Sequence, residues 1–294
     1  MVKLLSAFAP AKINLFLRVI GRRADGYHEL DSLFVPITLG DRVALEARDG
    51  RPGAVSIRGN LGDLPADERN LAVRAAHAFV AEFGCDRELV IELHKAIPAG
   101  AGLGGGSSDA GAVLRMLAAM SRVKADAPNL LMSRRMVGLA AKLGADVPFF
   151  LAPAPARVRG IGERIIPLAA PPALPIVLVV PPIEAPTALV YRELEPADWS
   201  GPAPEADVAA LLAGDFRAEL MVNDLARAAI ARWPEIGRVK ALFETLGARA
   251  AAMTGSGAGV FGIFRSFEES ATVAAELRQR EPALRVFPAT LWSA

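Results

Sequence analysis

The sequence predicts an α+β protein of two domains, because strand and helix patterns are mixed in both halves of the chain. Apolar residues make up 52% of it and charged residues 22%, a balance typical of a compact fold rather than a disordered one. A chain of 294 residues is long enough for two hydrophobic cores, although one large domain also fits this length. The Pro- and Ala-rich stretch 153–175 is the best boundary region. We therefore expect domains over 1–158 and 159–294.

The first strands follow from alternation. Apolar and polar residues alternate over 12–19, which predicts a strand that turns Lys12 and Asn14 to the same side. Further strands are expected over 42–48, over 54–58 and around 89–93.

Capping signals place the helices of the first half. Asn70 is a suitable N-cap for a helix over 71–83. A second helix is expected from about 108 to 120, after a run of glycines. A third helix, capped by Ser133, ends shortly before Asp146.

The second half mixes both element types. A buried strand is expected over 176–180, with helical segments around 205–213 and 215–246. A strand–loop–strand follows over 249–265, then a helix near 267–280 and a closing strand. These patterns predict the elements but not the order of the strands in a sheet.

Charge and cysteine content exclude several classes of function. Lys plus Arg is 33 and Asp plus Glu is 32, so no overall field attracts nucleic acid or a membrane surface. Cys85 is the single cysteine, which excludes an intramolecular disulfide, and the three scattered histidines argue against a zinc site. No signal peptide or membrane span is predicted, so we expect a cytoplasmic protein without nucleic-acid or membrane partners.

The strongest local signal is the segment PAGAGLGGGSSDA over 98–110. Glycine backbone can approach an anion closely, and the following helix directs free N–H groups and the positive end of its dipole towards it. The hydroxyls of two serines add groups for phosphate oxygens or Mg²⁺. The expected phosphate-binding residues are Pro98, Gly100, Gly102, Leu103, Gly104, Gly105, Gly106, Ser107 and Ser108.

Three other interpretations of this segment compete. It could be a flexible loop without a ligand. Gly100, Gly102 and Gly105 also fit the dinucleotide fingerprint GxGxxG, with Asp126 at a suitable distance, but no strand lies between the helix and this acid. A Walker A loop would need Gly-Lys-Ser/Thr, and Ser107 stands where the lysine would be.

The extended pattern PxGxGLGGGSSDA resembles the phosphate loop of the GHMP kinases, named for galactokinase, homoserine, mevalonate and phosphomevalonate kinases. The resemblance implies an N-terminal ribosomal-S5-like α/β domain and a C-terminal ferredoxin-like α+β domain, with the active site in the cleft between them. It also implies ATP and Mg²⁺, with Ser108 helping to hold the metal and Asn70 at the adenine pocket.

Further motifs resemble the diphosphocytidyl-methylerythritol kinase branch of this family. PAKINL over 10–15 and GRRADGYHEL over 21–30 match its signature. The resemblance gives Lys12 a place in the catalytic centre, and in LGADVPFF over 143–150 it makes Asp146 the general base, kept ionised by that lysine. TGSGAGVF over 254–261 matches the third GHMP motif, although this branch usually has Cys where Gly259 stands.

The substrate side is carried by the same resemblance, which runs from Pro10 to about Phe261. Tyr191, which follows the Pro-Thr pair at 186–187, is expected to stack on the cytosine opposite Tyr27. His28 is expected to hydrogen-bond to the base. Asn-Asp-Leu over 223–225 is expected to be structural. The implied substrate-binding residues are Asn14, Tyr27, His28, Thr187, Tyr191, Gly255, Ser256 and Gly257.

The implied reaction is ATP-dependent phosphorylation of the 2-hydroxyl of the cytidine diphospho-methylerythritol, in the non-mevalonate isoprenoid pathway. The alternative is another GHMP small-molecule kinase, of the mevalonate or homoserine type, for which the aromatic–histidine pair would have no use. A nicotinamide-dependent oxidoreductase and a non-catalytic ligand sensor explain fewer of the motifs. We expect a monomer or homodimer.

Overall fold

A computed structural model describes residues 2–121 and 129–292, in two compact units. The first unit comprises Met1–Ala11, Gly40–Ile97 and Gly104–Pro153. The second comprises Lys12–Leu39, Pro98–Leu103 and Ala154–Ala294. The first two strands contribute residues to both units, so the chain is not divided by one cut, and the boundary expected at residue 158 stays a prediction. Asp126 lies outside the described residues.

Runs of strands and runs of α-helices are mixed along the described chain, which confirms the α+β class. The strands are β1 Lys3–Arg22, β2 His28–Arg48, β3 Val55–Asn60, β4 Glu88–His94, β5 Ala156–Gly160, β6 Arg164–Pro167, β7 Pro175–Val180, β8 Ala250–Met253, β9 Val260–Ile263 and β10 Arg285–Thr290. The α-helices are α1 Leu71–Phe83, α2 Gly105–Met120, α3 Arg134–Leu143, α4 Thr187–Arg192, α5 Glu205–Leu212, α6 Ala226–Arg232, α7 Pro234–Thr245 and α8 Phe267–Arg280.

The core of the first unit lies between strands and helices α1 to α3. Strand β4 pairs in parallel with β3 and antiparallel with the C-terminal part of β2. The alternating residues of β4 that the sequence marked, Leu89, Ile91 and Leu93, are fully buried. As predicted, Asn70 caps α1, and its Oδ1 accepts from the backbone N–H of Ala72 at 3.0 Å. Period-two alternation and a side-chain cap therefore act here as expected.

The second unit contains two sets of paired strands. The N-terminal part of β2 pairs antiparallel with β5, which pairs antiparallel with β6. A separate antiparallel sheet has the order β10-β7-β9-β8. Its central strand β7 is buried at every position, as its uninterrupted apolar sequence predicts. Phe243 on α7 and Phe264 after β9 are buried with their ring centroids 6.3 Å apart.

One sequence prediction about the elements is wrong, and one stretch contains strands that the sequence did not indicate. The expected boundary region 153–175 contains strands β5 and β6, and one division between the two units falls at its start, between Pro153 and Ala154. Arg157 on β5 is only 3% exposed and donates two hydrogen bonds to Asp31 on β2, at 2.7 and 2.6 Å. The segment 215–246 is helical only from Ala226, and Pro234 separates α6 from α7.

Helix α2 begins at Gly105, three residues before the expected start. Gly104 is its N-cap in the left-handed conformation, with φ at 69°, which glycine adopts without strain. No helix in 2–121 or 129–292 is long and apolar enough to cross a membrane.

Candidate active site

Lys12 and Asn14 lie on the same side of β1 and are buried, which confirms the prediction from alternation. Lys12 is 4% exposed, and its Nζ donates to Asn14 Oδ1 at 2.8 Å. The same ammonium lies 4.6 Å from the centroid of the Phe34 ring, a cation–π contact. A buried ammonium needs such partners because its desolvation is costly.

Two glycine-containing segments meet beside this lysine. The backbone N–H of Lys12 donates to the carbonyl of Leu103 at 3.0 Å, which joins β1 to the glycine run. A side chain at Gly102 would place its Cβ 2.2 Å from the carbonyl oxygen of Thr254, so only glycine allows this approach. A Cβ at Gly259 would likewise lie 2.5 Å from the carbonyl oxygen of Ala101. Glycine at position 259 thus allows the close approach of the two segments.

A cavity of about 300 Å³ opens at this meeting point. Five predicted site residues line it, brought together from three distant parts of the sequence: Gly100, Gly102, Thr187, Ser256 and Gly257. The hydroxyls of Thr187 and Ser256 lie 2.8 Å apart and hydrogen-bond to each other. Glu184 also lines the cavity and was not marked by the sequence.

An aromatic cluster lies in the same unit. The His28 ring centroid is 5.3 Å from that of Tyr191, with the planes inclined by 31°. Trp199, which no motif marked, lies 6.4 Å from His28 in an edge-to-face arrangement. Tyr27 is 61% exposed. Burial, followed by the charge of Arg22, lowers the pKa of His28 below its ordinary 6.5, so its imidazole is neutral at neutral pH.

The start of α2 and the acid at 146 belong to the first unit. Ser108 is fully buried, and its hydroxyl donates to the carbonyl of Pro10 at 2.7 Å. Ser107 is half-buried, and its Oγ would lie 3.9 Å from a Cβ built on Gly144. Asp146, two residues further on, is also half-buried. The first turn of α2 and the segment that carries the acid therefore lie side by side.

Sequence reasoning missed a buried charge cluster behind this turn. Lys95 Nζ donates to Asp109 Oδ2 at 2.7 Å and also to Asp41 Oδ2. Asp109 Oδ1 is buried and has no hydrogen-bond partner in the described part of the chain. Burial raises the pKa of Asp109 to about 8, and the charge of Asp41 adds to the rise while Lys95 opposes it. The glycine motif contained Asp109, but nothing in the sequence pointed to its two partners.

Asn70 uses its side chain within its own turn. Its Oδ1 caps α1, and its Nδ2 donates to the carbonyl of Pro65 at 3.0 Å. An adenine role for Asn70 stays a prediction. Among the described residues, no group of three or more His, Cys, Asp or Glu could hold a metal ion.

Comparison with known proteins decides the family. Residues 70–153 match the model for the GHMP kinases N terminal domain, and residues 209–283 match the one for GHMP kinases C terminal. A 4-diphosphocytidyl-2-C-methyl-D-erythritol kinase of Anaeromyxobacter dehalogenans (strain 2CP-C) is 46% identical over 267 residues, covering 88% of this chain and 80% of the relative. The chain belongs to the GHMP kinase family.

Solved structures give this GHMP kinase two informative neighbours. A crystal structure of 4-(cytidine 5'-diphospho)-2C-methyl-D-erythritol kinase has a TM-score of 0.84 and 38% identity, covering 99% of this chain and all of the other. A homoserine kinase from Cytophaga hutchinsonii has a TM-score of 0.72 but 19% identity, over 99% of this chain and 95% of the other. The second likeness shows the shared fold alone.

Proposed function

We propose that this GHMP kinase transfers the γ-phosphoryl group of ATP to the 2-hydroxyl of 4-diphosphocytidyl-2-C-methyl-D-erythritol, giving the 2-phosphate and ADP in the non-mevalonate isoprenoid pathway. The observation that carries the choice of substrate is the ring pair of His28 and Tyr191, 5.3 Å apart. Such a pair suits a flat nucleobase and has no counterpart in the chemistry of mevalonate or homoserine. Substrates of this kind suit the cytoplasmic location that the sequence predicts.

The base would be recognised by stacking and by hydrogen bonds. Cytosine has a flat aromatic face for Tyr191 and a polar edge for His28. A neutral imidazole offers one donor and one acceptor, which agrees with the lowered pKa of His28. Tyr27, exposed beside His28 in the sequence, is available to cover the other face of the base, and Trp199 supports His28 from its edge.

Phosphate binding falls to the glycine run and the first turn of α2. Backbone N–H groups at a helix N-terminus favour anions, and phosphoryl transfer requires mainly positioning and charge neutralisation. Mg²⁺ prefers oxygen ligands and usually keeps several waters while bridging phosphates. The absence of a carboxylate cluster among the described residues suits a metal held mainly by ATP phosphates and water. Ser107 or Ser108 would add a hydroxyl, and Ser107 is the more exposed of the two.

For the transfer itself, we assign Asp146 as the general base that accepts the proton of the 2-hydroxyl. Lys12 would offset negative charge on the transferring group, and its side chain is already fixed by Asn14 and Phe34. The hydroxyls of Thr187 and Ser256 line the cavity of the same unit and would orient the substrate.

The proposed reaction is tested with purified protein, ATP and Mg²⁺ against three alcohols: the cytidine diphospho-methylerythritol, mevalonate and homoserine. ADP formation is followed, and the position of the new phosphate is read by phosphorus NMR. We expect turnover with the cytidine substrate alone and a phosphate monoester on its 2-oxygen. Turnover with mevalonate or homoserine at a comparable kcat/KM would reject the choice of substrate.

The assigned roles are tested by Lys12→Ala and Asp146→Ala. Each is expected to lower kcat by about 10²-fold or more, the usual range for general acid–base and charge-stabilising groups, while the protein stays folded. The exposed Lys142→Ala and Asp86→Ala are matched controls and should retain full activity. A variant of Lys12 or Asp146 that kept near-normal turnover would remove that residue from the mechanism.

Base recognition is tested by Tyr27→Ala and His28→Ala. Because both act on cytosine in the proposal, KM should rise about tenfold or more for the cytidine substrate, the effect of losing about 1.4 kcal/mol of binding. KM for ATP should change little. Equal changes for both ligands would contradict the cytosine assignment.

A further inference from the structure

The amide of Asn14 is the point where the catalytic lysine and the third glycine motif are joined. Its Oδ1 accepts from Lys12 Nζ at 2.8 Å, from the backbone N–H of Gly255 at 2.9 Å and from the Thr254 hydroxyl at 3.2 Å. Its backbone N–H lies 3.2 Å from the Thr254 hydroxyl oxygen. Asn14 is 2% exposed, so this set of donors is closed to water.

The arrangement depends on which way the amide faces. If Asn14 were turned over, its NH₂ group would face an ammonium and a backbone N–H, which are both donors. The ammonium and the Gly255 N–H would then both lose this acceptor in a buried place, a costly arrangement. The useful orientation therefore needs an acceptor for Nδ2 on the opposite side of the amide.

Ser32 supplies that acceptor. Asn14 Nδ2 donates to Ser32 Oγ at 2.9 Å, and Ser32 Oγ donates its own hydrogen to the carbonyl of Phe16 at 2.5 Å. Because a hydroxyl has one hydrogen, this second bond commits Ser32 as an acceptor towards Asn14. Ser32 is 1% exposed, so water does not replace it.

The position of Ser32 on its strand makes the contact possible. Side chains at i and i+2 share one face of a strand, so Ser32 and Phe34 point the same way from β2. Phe34 covers the ammonium of Lys12 while Ser32 holds the amide of Asn14. One face of β2 thus supports the whole pair.

We propose that Ser32 is a positioning residue for phosphoryl transfer: it fixes the amide of Asn14, which in turn fixes the Lys12 ammonium and the backbone of Gly255. This inference rests on the proposed function, because it gives Ser32 its effect through the catalytic lysine. It also changes the expectation for Asn14, whose amide is occupied mainly with holding protein groups.

Removing the hydroxyl has a defined consequence. In Ser32→Ala, Asn14 Nδ2 and the Phe16 carbonyl each lose a partner, and the amide is free to rotate. The ammonium and the Gly255 N–H then lose their shared acceptor. Misplacement of a catalytic group by about 1 Å can cost about 10²-fold, so we expect kcat to fall about 10- to 100-fold while KM for ATP stays within about threefold.

The first experiment compares Ser32→Ala with Ser270→Ala under identical assay conditions. Ser270 on α8 is also buried, and its hydroxyl also donates to a backbone carbonyl, that of Phe267 at 2.9 Å. The control therefore matches the loss of a buried hydroxyl but has no link to Asn14. We expect the loss of kcat in Ser32→Ala alone. Equal kcat values for Ser32→Ala and wild type would overturn the inference.

Two further experiments distinguish a positioning role of Ser32 from a general structural role. One is rescue by a variant that keeps the hydroxyl, and the other is a double-mutant cycle with Asn14. Ser32→Thr keeps the hydroxyl and should retain most of kcat, whereas Ser32→Val has the same shape without it and should not. In a double-mutant cycle, Ser32→Ala should add less than about twofold to the loss already caused by Asn14→Ala, because the two act as one unit. Additive losses would overturn the inference even if the Thr side chain did not fit.

An incorrect role for Ser32 can be distinguished from an incorrect proposed function. If the wild type showed no turnover with the cytidine substrate, the function would be wrong. If the wild type were active and Lys12→Ala inactive, but Ser32→Ala fully active, only the role of Ser32 would be wrong.

Discussion

The buried carboxyl group of Asp109 makes the stability of the fold depend on pH. It is 1% exposed, and its pKa is raised to about 8 by burial and by the neighbouring charge of Asp41, against the opposing effect of Lys95. An unfolded chain would give this group its ordinary pKa of 3.8. Between these two values the folded state binds a proton that the unfolded state has lost, so the free energy of unfolding falls as the pH rises.

Asp109→Asn should remove this dependence, because an amide has the same shape but does not ionise. The melting temperature of the variant should rise relative to that of wild type as the pH is raised from 5 to 9. The rise should be about 2 °C or more for each kcal/mol of unfolding free energy that wild type loses and the variant keeps. Thermal unfolding over this pH range measures it, with the exposed Asp86→Asn as the control. A difference that stays constant with pH would contradict the raised pKa of Asp109.

At this same scale, sequence could identify some site residues and not others. Lys12 and Asn14 were predicted to share a side of their strand because the period of a strand is two, and the structure confirms it. Ser32 and Lys95 carry no local signal, since their importance comes from what lies opposite them in space. Trp199 lies outside every motif that the sequence offered.

At the scale of elements, the approach of two glycine segments makes a sharp prediction. Gly102 and Gly100 both have positive φ, at 72° and 69°, so alanine at either is strained by a similar amount. A Cβ at Gly102 would lie 2.2 Å from the Thr254 carbonyl oxygen, whereas one at Gly100 would meet nothing within 4 Å. Only Gly102→Ala forces the two segments apart.

We therefore expect Gly102→Ala to lower kcat/KM for ATP at least about tenfold more than Gly100→Ala, since forced backbone shifts of this kind cost about 1–3 kcal/mol. Steady-state kinetics with varied ATP measures the difference, and circular dichroism checks that both variants are folded. Similar kinetic losses in the two variants would show that backbone strain, not the contact with Thr254, limits the loop.

Elements with strong local signals were predicted well, and those set by distant partners were not. Helix α1 has a side-chain cap and a glycine stop, and its observed bounds match the prediction. Strand β5 carries Arg157 at a buried position. In the sequence, an arginine indicates a surface segment, and only the structure shows that Asp31 is its buried partner. The pKa of that carboxyl is lowered because the hydrogen bonds from Arg157 and Ala203 outweigh the opposing effect of burial.

At the scale of the whole molecule, each unit has a hydrophobic core of its own. Phe79 on α1 belongs to the core of the first unit, and Phe243 on α7 to that of the second. Truncation of a buried phenylalanine to alanine costs about 3–5 kcal/mol through lost burial and the cavity it leaves. Phe267 is 64% exposed, so Phe267→Ala is a control with the same substitution at a position that is not buried.

Phe79→Ala should increase hydrogen exchange most in peptides from α1, and Phe243→Ala most in peptides from α7. Phe267→Ala should change the free energy of unfolding by less than about 0.5 kcal/mol, as surface substitutions usually do. Hydrogen-exchange mass spectrometry with urea unfolding measures both effects. Equal loosening of α1 and α7 by either core variant would contradict the separation into two cores.

The sequence by itself determined the α+β class, most of the helices and strands, the glycine motifs and the resemblance to GHMP kinases, because these are written in local periodicity, capping and spacing. Only the tertiary structure decided that Ser32 holds Asn14, that Lys95 and Asp41 surround Asp109, and that Gly102 must be glycine beside Thr254. Those facts depend on groups far apart in the chain, whose burial and hydrogen bonds exist only after the strands have paired. Local sequence sets which residues are available, and long-range packing sets which of them meet.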